Sequence, residues 1–92
     1  MSLSLEMIAR ELNIPEEEIR KKSLQAFLLD QLRKLEADMK VKCARWGVTS
    51  LEEMEGLIEE DRFPESDILD DLHEVDYMAG RIRRIKEMLG KL

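Results

Sequence analysis

The sequence predicts an all-α protein, a long antiparallel helical hairpin with a short N-terminal helix and a short corner helix. Three observations predict it. Residues 15–45 contain no glycine or proline after the opening Pro15. Aromatic residues make up 4% of the chain while charged residues reach 39%, the profile of long helices, not of a sandwich or barrel. Apolar residues recur at helical spacing in two separate stretches. Ninety-two residues make a single domain. A helix over 15–45 would be a rod of roughly 46 Å. A compact chain of this length has a radius of gyration of about 12 Å, so the molecule should be elongated.

In chain order, Ser2 or Ser4 can cap a first helix over about 5–12, with Leu5, Ile8 and Leu12 on one face. Asn13-Ile14-Pro15 breaks it, because the residue before proline avoids the α region. The long helix over 15–45 opens with Pro15 at a position that needs no N–H, and Glu16, Glu17 and Glu18 suit the positive end of its dipole. Leu28, Leu32, Leu35 and Met39 form an apolar seam continued by Cys43 and Trp46. Gly47 can end the helix in a left-handed conformation. Thr49 and Ser50, each with a glutamate three residues on, announce a corner helix over about 51–60. The last helix, over about 66–89, carries Ile68, Leu72, Val75, Ala79 and Ile82 as its seam, which rotates midway toward Met78, Ile82, Ile85, Leu89 and Leu92. The seams exceed what one hairpin can cover, so assembly into a helical bundle, economically a homodimer, is expected.

Charge is unevenly distributed. Residues 1–45 sum to +1, residues 46–76 to -11 and residues 77–92 to +4. The middle is an acidic lobe that would repel nucleic acid and attract a basic partner, the alternative being a solvated face. The candidate partner-binding residues are Trp46 and Phe63 as apolar anchors, with Asp67, Asp70, Asp71 and Glu74 as acidic contacts. One cysteine, Cys43, permits no internal disulfide and fits a reducing cytoplasm. No apolar run approaches the ~18 residues of a membrane span.

No catalytic set can be assembled, since His73 is the only histidine and lies among acids. Enzyme activity, a cofactor and a catalytic or bound metal are therefore not expected, although Asp70-x-x-His73 has the spacing of half a di-metal site. The apolar spacing Ile8 to Ile19 also fits a helix-turn-helix, but Glu16 to Glu18 would lead its second helix into phosphate. Duplex DNA is not an expected partner.

From Pro15-Glu16-Glu17-Glu18-Ile19-Arg20 through Ser23-Leu24-x-Ala26-Phe27-Leu28, the chain runs into Arg45-Trp46-Gly47-Val48-Thr49-Ser50-Leu51-Glu52-Glu53-Met54-Glu55. Leu57-Ile58-Glu59, Pro64-Glu65, Asp70-Asp71-Leu72 and a Leu/Arg-rich helix follow. This order of features resembles the small helical antitoxins of type II toxin–antitoxin pairs, in particular the TumA-like antitoxins encoded beside TumE-like toxins. Trp46 stands where that family commonly has tyrosine or another aromatic. The resemblance implies an all-α, non-enzymatic protein that binds and neutralises a cognate toxin, and names no catalytic residue. A structural homo-oligomer without a toxin, or a DNA-binding autoregulator using the N-terminal corner, are the alternatives.

Overall fold

The structure is a computed structural model, which describes residues 2–60 and 65–92, with side chains in the second segment from residue 66. The described residues form four α-helices and no strand: α1 Leu5–Leu12, α2 Glu16–Arg45, α3 Leu51–Glu59 and α4 Glu65–Gly90. The all-α hairpin is therefore the fold of this chain.

Local chemistry sets the helix ends. The Ser4 hydroxyl accepts from the Met7 N–H at 3.1 Å, starting α1. Asn13 ends it in the left-handed region (φ 56), which asparagine tolerates better than most residues. Pro15 is the residue flanking α2, one position earlier than first-turn proline would sit. Its carbonyl starts the ladder by accepting from Glu18 and Ile19. At the other end Gly47 takes φ 72, the Gly47 N–H reaches the Ala44 carbonyl and the Val48 N–H the Cys43 carbonyl, both at 3.0 Å. That double bond pattern satisfies carbonyls the helix end would strand, and it turns Val48 inward onto Cys43.

Ser50 caps α3 by accepting from the Glu53 N–H at 3.1 Å. The Glu53 carboxylate reaches back to the Thr49 N–H at 2.8 Å and to its hydroxyl at 3.2 Å. The reciprocal cap thus spans one residue more than the simple box, with Thr49 and Ser50 both used.

α2 and α4 run antiparallel, since Lys42 pairs with Glu74 while Arg45, further on, pairs with Asp71, further back. α3 closes over α4 at the corner. The core lies there: Cys43, Val48, Met54, Ile68, Val75 and Met78 form one buried cluster. Leu35, Met39, Trp46, Leu51, Leu57, Ile58 and Leu72 pack around it. Each fully buried side chain of this size contributes about 1.5–3 kcal/mol.

Among the described residues, none before Cys43 is buried. α1 and the first half of α2 therefore form an arm that projects from the corner. The molecule measures 61 × 28 × 16 Å with a radius of gyration of 19.4 Å, well beyond the about 12 Å of a compact chain.

The seam of α4 passes through Asp71 where Leu72 is expected. The buried residues are Ile68, Asp71, Val75, Met78 and Ile85, a 3-4-3-7 spacing that half-buried Ile82 completes as a heptad pattern. Ile68 and Val75 of the five expected positions are fully inside, Ile82 is half-buried, and Leu72 and Ala79 lie half-buried on the flank. On α2, Leu28, Leu32, Leu35 and Met39 are half-buried. A Cβ added at Gly80 would meet nothing within 4 Å, so this glycine does not serve a close helix crossing within the chain.

Candidate protein-interaction surface at the hairpin corner

An acid in a buried seam needs donors, and α2 supplies two in succession. Asp71 is 5% exposed. Its Oδ2 accepts from Arg45 Nη1 at 3.0 Å and from Trp46 Nε1 at 2.8 Å. The helix periodicity that carries Ile68 and Val75 inward carries Asp71 with them, and only a paired carboxylate can stay there. One turn further along, Lys42 Nζ meets Glu74 Oε2 at 2.5 Å. The hydrogen bond to Glu74 is the chief cause that holds the Lys42 ammonium above its usual lysine value, with the Glu74 and Asp71 charges adding to it.

These residues wall an open groove between α2 and the start of α4, shared by Lys42, Arg45, Trp46, Asp67, Asp70 and Glu74 around Asp71. The structure therefore assembles five of the six expected partner-binding residues at one place, and the sixth, Phe63, lies outside the described residues. It also divides their roles. Asp67 and Asp70 are exposed and turned to solvent. Glu74 is exposed but paired with Lys42.

Asp71 is an internal acceptor, not a rim charge, and this corrects its expected role. Trp46 is half-buried against the core with its N–H committed to Asp71, so it holds the corner together before any partner arrives. Lys42 and Arg45 were not singled out from the sequence. The signal that could have found them is the heptad 68-71-75-78-82-85, in which Asp71 is the only polar member and so demands a cation opposite.

The acidic lobe extends beyond the groove. The α3 carboxylates Glu52, Glu53, Glu55 and Glu59, together with Asp76, are exposed. Cys43 is fully buried, and burial first, then the nearby Glu53 charge, pushes its thiol pKa up. It packs as a small apolar group. His73 is exposed, and among the described residues no group of three or more His, Cys, Asp or Glu is placed to hold a metal ion. Among the described residues no helix is long and apolar enough to cross a membrane.

No curated protein matches the chain, and no solved structure does. One family model covers it from end to end, residues 1–92, and the chain accordingly belongs to the family described as uncharacterized protein MJ0235 family.

Proposed function

We infer that the chain is a non-enzymatic binding protein that covers a basic, RNA-facing surface of a cognate toxin, as an antitoxin does, in a reducing cytoplasm. One observation carries the reading. At the corner the exposed carboxylates of α3 and early α4 face outward, while the two nearby cations, Lys42 and Arg45, are turned onto Glu74 and Asp71. The outer field is left acidic. A nuclease must be basic to hold phosphate, and an acidic helical end can occupy the same surface. Exposed Glu16, Glu17 and Glu18 at the start of α2 oppose duplex phosphate, which argues against a DNA-reading corner.

The test is capture kinetics against whichever protein co-purifies with this chain from its native operon. Asp67→Asn, Asp70→Asn and Glu55→Gln together should slow association about tenfold while leaving dissociation nearly unchanged. Raising salt to about 0.5 M, where the Debye length falls to roughly 4 Å, should do the same. Association indifferent to both overturns the reading and leaves the acidic lobe as a solvated face. A structural homo-oligomer without a toxin is the second reading, favoured by the uncovered apolar side chains of the arm.

A further inference from the structure

The arm exposes what the corner buries. Leu3, Met7 and Leu12 of the α1 region and Leu24, Phe27 and Leu29 of α2 are 42–78% exposed, and Met88 and Leu92 are 41% and 37% exposed. With Lys42 opposite Glu74 and Arg45 opposite Asp71, equal rise per residue brings the end of α4 beside about residue 28 of α2. Of the large apolar side chains exposed on the described surface, only Val41 and Tyr77 lie elsewhere.

We propose that this arm is the interface with a second copy of the chain, in which the first halves of two α2 helices cross antiparallel with Leu24 of each opposite the partner's Phe27. Area supports a partner here. The surface is 7201 Å², whereas a compact protein of 10.8 kDa exposes about 5,500 Å². The surplus of about 1,700 Å² exceeds the roughly 800 Å² that each partner of a stable complex contributes.

Charge selects a second copy, and one orientation of it. With Leu24 opposite the partner's Phe27, antiparallel register sets Glu17 against the partner's Lys34, both within about 50° of the Leu24/Phe27 face. Each contact occurs twice by symmetry. A parallel pairing would instead bring Glu16, Glu17 and Glu18 of both copies together at one end. Within the chain these same groups make only exposed pairs one helical turn apart, such as Glu18–Lys22 and Asp30–Lys34 at 3.1 Å. Such pairs are weak and free to exchange. The arm is remote from the acidic corner, so the dimer would present one acidic end at each extremity.

The test is sedimentation equilibrium of the full chain from about 1 to 100 µM, where a dimer is read as a concentration-dependent mass. The expected mass is twice 10.8 kDa. Phe27→Asp should yield monomers that keep their helical circular dichroism, because the core cluster contains no residue before Cys43. Glu17→Lys should weaken the dimer about tenfold, and adding Lys34→Glu to it should restore affinity to within about threefold of the parent. A monomer throughout the range overturns the proposal and leaves the arm for an unlike partner. A dimer untouched by Phe27→Asp overturns it too. A double swap no better than the single one overturns the antiparallel register.

Discussion

The corner and the arm of this protein are made of similar material and end up in opposite states. Both are helical, both are rich in charge, and both carry leucine, isoleucine and methionine at helical spacing. At the corner three helices converge, and Cys43, Met54, Ile68 and Val75 are at most 1% exposed. On the arm α1 packs against α2, and Leu3, Leu12 and Phe27 are more than 60% exposed. Burial here is a property of how many elements meet, not of how apolar a residue is. A single amphipathic helix folded against one other leaves most of its stripe in water.

The widest separation between the two regions should appear in thiol labelling. Cys43 can react only when the corner opens, so its rate should be suppressed by about 10³-fold or more relative to the denatured chain, in step with global stability. Its raised thiol pKa slows it further. A cysteine placed at Leu29 in a Cys43→Ala background should label at nearly the free rate. Equal rates at both positions would erase the distinction.

Large-to-small substitution is the next comparison. Ile68→Ala should cost about 2–5 kcal/mol in denaturant melts, whereas Leu24→Ala should cost under about 0.5 kcal/mol where the chain is monomeric. A comparable loss at Leu24 would mean that the arm is covered within the chain.

Asp71 tests whether polar burial holds the corner. Asp71→Ala removes the carboxylate that accepts from Trp46 Nε1 and Arg45 Nη1, at about 1–3 kcal/mol, moderated because the Arg45 side chain is 64% exposed. Asp71→Asn keeps an acceptor and should lose less. If the two variants melt together, charge contributes nothing beyond the hydrogen bond.

The caps separate the regions by smaller effects. Ser50→Ala should lower global stability by about 1 kcal/mol, while Ser4→Ala should fray α1 and leave the global melt unmoved. Amide exchange in α1 would report the second change directly.

The smallest effect is alkaline. With the folded pKa of Lys42 raised above its usual 10.5 by Glu74, the contribution of that pair is complete below that value and is lost as pH rises through the folded pKa. The parent should destabilise more steeply than Lys42→Met in that range, and parallel curves would show the pair to be inert.

Most of the architecture was legible before any coordinates. Pro15 and Gly47 bracket the long helix because one removes an N–H and the other admits a left-handed φ, and both effects are local. Ser50 and Glu53 declare α3 for the same reason. What was not legible is that Asp71 and not Leu72 stands in the seam between Ile68 and Val75. Asp71 and Leu72 differ by one position, and hydrophobicity alone favours Leu72. Only the approach of α2 brings Arg45 and Trp46 to Asp71 and places the less apolar residue in the seam.

The candidate site divides along the same line. Asp67 and Asp70 are readable as exposed acids because the start of α4 is acidic whatever it meets. The reassignment of Asp71, and of Trp46 from anchor to internal donor, depends on residues 25 and 26 positions apart in the chain.

Sequence by itself determined the helices, their ends and the acidic lobe, since each rests on interactions spanning a turn or less. Tertiary structure alone decided that Asp71 enters the core of α4 and that the arm stands uncovered. Those outcomes turn on where helices distant in sequence run out of neighbours.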